Sequence, residues 1–414
     1  MEISRKKILL FYIETYPVWD IVYSLTNTYF GNNININQIV RMIGVLFILS
    51  FIREIRSYFI IAGVSIFGLT CVFINMSRDV SINFMTDVTW LIKLVSGLII
   101  YLSFKEIFNK NIIDKMEVFE ALRKSLIFVI VSILLSYVGL GYYTYNSSNR
   151  FGVKGLFAAN NTITEYLVIL YMFQYLLLKG KKRIIMILLT IIATMSIGTK
   201  MGIIGICTLT IMLFYINAIG KKKGKIITSR KKFAVLLVVG IIGLIVAVII
   251  FNKLIESWVG SSMTKMYNVS FYGYLVSNRN WQISAIDSYF VKDKLNLITG
   301  VGYSRTESVL KVYHKGFRAI EQDFHAIYYY FGIVLFLIFV VIIGIILYKI
   351  VRVFFKSESK LDRCVCVSIV VAFIGGLLGG HLILEALSQM PFWILCAYIS
   401  SIWKMNYTKI KIRL

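Results

Sequence analysis

Apolar runs about 20 residues long alternate with short polar segments along most of this chain. Each run is long enough to cross a bilayer as a helix, in which the backbone hydrogen bonds are satisfied internally. The runs lie at roughly 8–28, 36–52, 57–76, 84–104, 122–142, 159–178, 184–198, 202–219, 233–252, 326–348, 364–386 and 390–403. The pattern predicts an all-α polytopic membrane protein of about twelve transmembrane helices. Residues 1–414 are expected to form a single integral membrane domain.

Basic residues divide the polar segments into two sets. The larger share of the 45 Lys and Arg residues lies on alternate segments, from the one around Lys6 to the one around Lys411. Because cytoplasmic loops are enriched in Lys and Arg, this set is expected in the cytoplasm together with both termini. The long polar stretch 253–321 falls in the opposite set. It is therefore predicted to be an extracellular loop between spans nine and ten.

The composition changes this picture little. The chain is 58% hydrophobic and 16% charged, which excludes an ordinary soluble domain. A net charge of +25 would suggest nucleic acid for a soluble protein. Here the charge lies beside apolar runs, where it sets topology and meets anionic membrane lipids, so no nucleic-acid partner is expected. The five cysteines lie in or beside apolar runs and are interpreted as small apolar residues.

The predicted outer loop combines arginine with aromatic residues. Arg279 stands at the start of a predicted amphipathic helix that carries Trp281, Ala285, Ile286 and Tyr289 on one face. Arginine grips phosphate oxygens at two points and stays charged, so Arg279 and Arg305 are candidate anion ligands. The segment 300–302 (GVG) is a flexible turn or, less simply, a short phosphate loop.

Further ionisable residues are predicted at the same side of the membrane. Glu321, Asp323 and His325 lead into span ten, where they either cap the helix or supply a general base. Lys200 lies at the turn between spans seven and eight. Asn161 and Glu165 share a face of span six, and His381 and Glu385 are predicted to share a face near the end of span eleven. Such intramembrane groups line a cavity or pair with one another.

Several of these segments resemble the O-antigen polymerase and ligase family, the Wzy-type polysaccharide polymerases. The similar segments, in order, are 16–20 (YPVWD), 155–161 (GLFAANN), 198–200 (GTK), Arg279-x-Trp281, 300–302 (GVG), 321–325 (EQDFH) and 330–333 (YFGI). The resemblance covers most of the chain in topology and is specific only over these short pieces. Ligases of the family often carry a His eleven residues before the Gly of the last segment, where this chain has Glu321. That departure favours a polymerase and leaves the base open among Glu321, Asp323 and His325.

The resemblance implies a membrane glycosyltransferase that polymerises undecaprenyl-pyrophosphate-linked oligosaccharide repeat units into capsular or exopolysaccharide. The reaction would take place on the outer face of the cytoplasmic membrane, with undecaprenyl pyrophosphate as leaving group. Glu321, Asp323 and His325 would be the catalytic candidates. The substrate-binding candidates would be Arg279, Arg305, Lys200, Trp281 and Asn161. Partners would be lipid-linked glycans and membrane lipids, and could include flippase and chain-length regulator proteins.

Two other functions stay open at this point. A ligase of the same family would share these residues. A secondary transporter or flippase would also have about twelve spans, although transporters usually place their charged groups at mid-membrane on broken helices. No cofactor or metal is expected, since the three His residues, at positions 314, 325 and 381, show no close ligand spacing.

Overall fold

A computed structural model describes residues 2–30, 36–78, 82–144, 152–220, 279–313 and 319–407. These residues are almost entirely helical, as predicted. The one sheet among them is a short antiparallel pair, β1 (Tyr142–Tyr143) and β2 (Val153–Gly155). The helices are α1 (Glu2–Thr15), α2 (Val18–Phe30), α3 (Ile36–Leu49), α4 (Ile55–Arg78), α5 (Phe84–Asn109), α6 (Lys115–Leu135), α7 (Asn160–Leu177), α8 (Gly180–Ile197), α9 (Lys200–Gly220), α10 (Asn280–Phe290), α11 (Lys294–Thr299), α12 (Tyr303–Tyr313), α13 (Asp323–Lys356), α14 (Lys360–Gly379) and α15 (Ala386–Tyr407).

Four helices are long and apolar enough to cross a membrane, judged by length and composition. They are α4, the Lys200–Asn217 part of α9, α13 and α14, and α3 is a shorter apolar helix. Large apolar side chains such as Phe59 on α4 and Phe214 on α9 are exposed, which is compatible with contact to lipid tails. The apolar run at 233–252 and the first part of the long polar stretch, 253–278, lie outside the described residues.

The centre of the bundle is formed by α5, α7 and α15. Nearly every residue of α7 from Thr162 to Gln174 is buried, and Trp393 and Tyr398 of α15 are almost completely enclosed. Aromatic rings fill this core, for example Phe119 edge-on to Tyr398 with ring centroids 4.8 Å apart. These helices are largely apolar, as expected for segments that pack in the interior of the bundle.

The first apolar run is not the single helix that the pattern predicts. The chain leaves helical geometry at Tyr16 and Pro17, and α1 and α2 lie on either side. Proline has no N–H to donate and its ring clashes with the preceding turn, which ends the helix there. At this break Tyr16 Oη donates a hydrogen bond to the carbonyl oxygen of Ala386, the first residue of α15, at 2.8 Å.

The two ends of the bundle differ in charge. At one end, named here the basic end, Arg5 Nη2 donates to Ser50 Oγ at 2.7 Å and Lys6 pairs with Glu117 at 2.6 Å. The opposite end, named the site end, contains the starts of α5, α7, α9, α13 and α15 and the ends of α4, α8 and α14. The long polar stretch joins this end, where Ser304 N donates to Asp87 Oδ1 at 2.7 Å.

A break inside α13 fixes the polar stretch to the bundle. Gly332 has φ 77° and ψ 179°, which interrupts the helix. The carbonyl oxygens of Tyr329 and Tyr330 accept hydrogen bonds from Val301 N at 2.7 Å and Gly302 N at 3.2 Å. The GVG segment is therefore a structural turn docked on the break, and its alternative interpretation as a phosphate loop has no support in this contact.

Gly332→Ala is expected to lower the free energy of unfolding by about 1–3 kcal/mol, because a residue with a side chain is strained at this φ. A Cβ at Gly332 would also lie 2.0 Å from the carbonyl oxygen of Ile298. Gly344→Ala, in the same helix with nothing within 4 Å of the new Cβ, is the matched control and should be neutral or slightly stabilising. Thermal melting of the detergent-purified variants measures both. Equal melting temperatures for the two variants would contradict the proposed constraint at the break.

Candidate functional site

Glu321 stands in a short non-helical segment just before α13, and its backbone is held on both sides. Ile320 N donates to Tyr330 Oη at 3.0 Å, and Glu321 N donates to Gln282 Oε1 at 3.3 Å. Gln282 is itself almost fully buried on α10. Gln282 could not be identified from the sequence, because its role depends on a segment 39 residues away along the chain. The carboxylate of Glu321 is thus presented from a fixed main chain.

Arg279 lies at the N-cap position of α10, and its side chain reaches the carboxylate of Glu321. Its Nη1 donates to the carbonyl oxygen of Gly379 at 2.7 Å, and its Nη2 forms an ion pair with Glu321 Oε2. The arginine side chain is 12% exposed and the glutamate 21%, so the pair is sheltered without being sealed from solvent. The predicted helix after Arg279 is confirmed, with Ala285 and Ile286 buried. Two residues that the sequence proposed for the site are therefore in direct contact.

The turn between α14 and α15 passes beside this ion pair. A Cβ on Gly380 would lie 1.2 Å from the carbonyl oxygen of Glu321, so only glycine permits this approach. Gly380 has φ +70° and His381 has φ +69°. A positive φ is unfavourable for histidine and costs about 1–3 kcal/mol, which the surrounding contacts must offset. Such strain is concentrated at functional sites.

His381 is a functional candidate that was not among the catalytic or substrate-binding residues predicted from the sequence. Its Nε2 lies 3.9 Å from Glu321 Oε2, beyond hydrogen-bond distance. That atom is buried and has no hydrogen-bond partner among the described residues. The prediction that His381 and Glu385 share a helical face is wrong, because α14 ends at Gly379 and both residues lie in the turn. The sequence signal for this helix end was the glycine pair at 379–380, because glycine commonly ends a helix.

Glu385 belongs to a neighbouring ion pair. Its Oε1 lies 3.7 Å from Lys93 Nζ on α5. The Lys93 ammonium lies 3.9 Å from the ring centroid of Trp90, and Trp90 stacks on Tyr303 with centroids 4.5 Å apart. This arrangement ties the polar stretch, α5 and the turn together. Lys93 was not singled out in the sequence, because it lies within an apolar run.

Asp323 supports the turn through its buried carboxylate. Asp323 Oδ2 accepts hydrogen bonds from Leu382 N at 2.7 Å and Ile383 N at 3.0 Å, and Oδ1 accepts one from Leu384 N at 3.4 Å. The side chain of Asp323 is almost completely buried. These backbone N–H groups offset part of the cost of burying the carboxylate. The structure therefore gives Asp323 a positioning contact with the turn.

His325 is directed elsewhere. It lies on the side of α13 that faces α10, within electrostatic reach of Asp287, and Asp287 Oδ1 accepts a hydrogen bond from Tyr329 Oη at 2.6 Å. Among the described residues no hydrogen bond or ion pair joins His325 to Arg279 or Glu321. The three candidates of the predicted acid–histidine cluster thus occupy three different environments.

Two of the proposed substrate ligands lie along α10 and α12. The guanidinium of Arg305 lies 4.6 Å from the ring centroid of Tyr289, near the end of α10. The Nε atom of Arg305 is buried. Arg279 stands at the opposite end of the same helix, so the two arginines are not neighbours. Trp281 lies two residues after Arg279 and packs, partly buried, against the apolar core.

Asn161 and Lys200 lie at the starts of α7 and α9. These starts are joined by the hydroxyls of Thr164 and Thr199, which are 2.9 Å apart. Lys200 is followed by Met201, and a Cβ on Gly379 would lie 3.5 Å from Met201 Cγ and 3.7 Å from Arg279 Nη1. The turn that carries Lys200 is therefore close to Arg279. Asn161 is half-buried one turn before Glu165, whose carboxylate is buried beside Gly375.

The charges of the site shift the pKa values of Glu321 and His381. Burial alone would raise the pKa of Glu321, but His381 and the charge of Arg279 outweigh burial and hold it below the ordinary value. Burial alone would lower the pKa of His381, but the carboxylates of Glu321, Glu385 and Asp323 outweigh it and raise the pKa. Both shifts favour the charged forms.

Comparisons with known proteins add no relative. No family model matches the chain, no curated protein matches it, and no solved structure matches it. Within the described ranges, no group of three or more His, Cys, Asp or Glu side chains is arranged to hold a metal ion. The site is therefore interpreted from its own geometry.

His381 is expected to stabilise the protein below about pH 6.5 and to lose that effect as the pH rises through its raised pKa. The sign follows from the folded protein holding the proton more tightly than the unfolded chain. His381→Asn removes the titrating group, and asparagine tolerates a positive φ. The melting temperature of the wild type should exceed that of the variant more at about pH 5.5 than at about pH 9. A difference that is independent of pH would contradict the charged interaction.

Proposed function

We propose that the protein is a membrane polymerase that joins undecaprenyl-pyrophosphate-linked oligosaccharide repeat units into a capsular or exopolysaccharide. The observation that carries this proposal is the contact of Arg279 with Glu321 beside His381, at the end of the bundle opposite the basic end. A cation for phosphate and a carboxylate for a hydroxyl proton are the two groups that this transfer requires. The resemblance of the short segments to Wzy-type polymerases supports the same reaction.

The proposed topology has about twelve spans, including the run at 233–252, with both termini in the cytoplasm. The basic end then faces the cytoplasm and the site end faces outward. The stretch 253–321 is then the extracellular loop, and the substrate would reach Arg279 from the outer leaflet. Membrane lipids surround the exposed apolar faces, and flippase and chain-length regulator proteins remain candidate partners. Nucleic acid has no place in this proposal.

In the proposed reaction a sugar hydroxyl of the acceptor attacks the anomeric carbon of the donor glycan. The new carbon–oxygen bond forms as the bond from the anomeric carbon to the pyrophosphate oxygen breaks, and the electron pair of that bond leaves on the pyrophosphate. Arg279 would stabilise the negative charge that develops there. The acceptor's proton would pass to the base. The pyrophosphate linkage is already activated, so no nucleotide sugar is consumed.

Glu321 is the base that the geometry favours among the three sequence candidates. Its carboxylate is partly exposed and lies directly against Arg279. The Asp323 carboxylate is occupied by three backbone N–H groups, and His325 faces α10. Trp281 lies two residues after Arg279 and would contribute a sugar-stacking ring. The turn that carries Lys200 lies near Arg279, so Lys200 would contribute charge. Arg305 and Asn161 would contact more distant parts of a long substrate.

A cysteine placed at Lys292, an exposed residue after α10, should react with a membrane-impermeant thiol reagent in intact cells. The background must lack the five native cysteines, because Cys207 is exposed. Reaction only after the cells are permeabilised would invert the topology and would place the site end in the cytoplasm. A cysteine at Lys182, on the basic end, is the matched control and should react only after permeabilisation.

Arg279→Lys and Arg279→Ala are both expected to reduce polymer at least about a hundredfold at normal protein abundance, since lysine cannot reproduce two-point contact with pyrophosphate. Profiling of lipid-linked glycans measures the effect. A polymerase defect accumulates single repeat units, whereas accumulation of long lipid-linked chains would identify a ligase instead.

Arg78→Lys is the control for the arginine variants. Arg78 also lies at the site end, where Nη1 donates to Asn296 Oδ1 at 2.9 Å and Nη2 pairs with Asp293, but it has no contact with Glu321. This variant should make normal polymer. Near-normal polymer from Arg279→Lys would overturn the two-point contact.

A further inference from the structure

The guanidinium of Arg279 already has an anionic partner. Its Nη2 is paired with the Glu321 carboxylate, while its Nη1 is bound to the carbonyl oxygen of Gly379 at the end of α14. A carbonyl at a helix C-terminus is a favourable partner for a cation and need not be displaced. An incoming anion would therefore compete with Glu321 for one edge of the guanidinium. Displacing a sheltered carboxylate without a new partner would be costly.

A new partner for that carboxylate lies within reach. His381 Nε2 is 3.9 Å from Glu321 Oε2 and has no hydrogen-bond partner among the described residues. A shift of about 1 Å brings the two atoms to hydrogen-bond distance. The backbone of His381 is held in place, because Ser388 Oγ donates a hydrogen bond to its carbonyl oxygen. The Asp323 contacts hold the residues that follow it.

We infer that the carboxylate of Glu321 is exchanged between Arg279 and His381, and that binding of a pyrophosphate at Arg279 transfers it to His381 Nε2. His381 is then a positioning residue that acts through Glu321. This inference rests on the proposed function for the anion that arrives, and it adds the consequence of that arrival for the base.

The exchange couples substrate binding to the position of the base. While Glu321 is paired with Arg279, its carboxylate is engaged by the guanidinium. Once the pyrophosphate takes over that edge of the guanidinium, the carboxylate is released from Arg279. His381 then keeps the released carboxylate oriented near the same position. A site without donor would therefore keep its base paired with Arg279.

The other charged groups around His381 are already engaged. Glu385 is paired with Lys93, and Asp323 is bound by the backbone of the turn. Glu321 is thus the carboxylate free to change partner. The charged and titratable groups that face this cluster from the packed elements are Glu321, Asp323, Glu385, Arg279, Lys93 and Glu165.

The test measures the binding of inorganic pyrophosphate to the full-length protein in lipid nanodiscs by calorimetry. Glu321→Gln removes the competing anion and should tighten binding about tenfold. His381→Asn should weaken binding several-fold in the wild-type background, because the displaced carboxylate loses its alternative partner. In the Glu321→Gln background His381→Asn should leave pyrophosphate affinity unchanged, since there is no carboxylate for His381 to accept.

Each outcome decides a separate point. If His381→Asn weakens binding equally in both backgrounds, histidine acts directly on the anion or on the fold and the exchange is wrong. If Glu321→Gln fails to tighten binding that Arg279→Ala abolishes, the exchange is wrong while the anion site stands. If the wild type shows no Arg279-dependent binding, the proposed function loses its anion site and the exchange falls with it.

Two measurements keep the test independent of misfolding. Glu307→Gln breaks a pair with Lys311 on α12, at 2.7 Å and away from the site, and should leave pyrophosphate affinity unchanged. Melting temperatures of all variants report whether each is folded. If His381→Asn does not fold, the expected tightening in Glu321→Gln alone still decides for or against competition at Arg279.

Discussion

The site depends on one buried carboxylate. Asp323 accepts hydrogen bonds from the backbone of Leu382, Ile383 and Leu384, and this fixes the turn between α14 and α15 against the start of α13. A buried carboxylate is costly unless it is well hydrogen-bonded, so the two segments stabilise each other only together. Because the turn is held there, His381 keeps its strained backbone and faces Glu321. Without this contact, the turn that carries His381 would lose its hydrogen bonds to the start of α13.

Charge at the site end is balanced within small groups of side chains. Arg279 is matched by Glu321, and Lys93 by Glu385 and the ring of Trp90. Each cation therefore has an anion or an aromatic face near the boundary of the apolar bundle, where an unpaired charge would be costly. Under the proposed function, an anionic substrate would therefore exchange with an existing partner. This makes the partners of Arg279 as important to its chemistry as the arginine itself.

The sequence predicted most of the helices, because apolar runs of membrane length permit little else. It also selected Arg279 and Glu321, since an arginine at the start of a predicted loop helix and a carboxylate just before a predicted span are chemically suited to pyrophosphate. It failed at Pro17, where one apolar run forms two helices, and at Gly379, where α14 ends before His381. Apolarity continues across both breaks, so hydropathy could not detect them, although the proline and the glycine pair were visible.

What the sequence by itself determined is the helical class, the location of the apolar segments and the types of chemistry available. Which residues meet was decided by the tertiary structure. Gln282 and Gly380 reach the backbone of Glu321 from distant segments, and Asp323 binds a turn about 60 residues away. Such contacts depend on how the helices pack and on where each one is interrupted. Local periodicity carries no information on this packing, because a helix presents the same pattern whichever neighbour covers it.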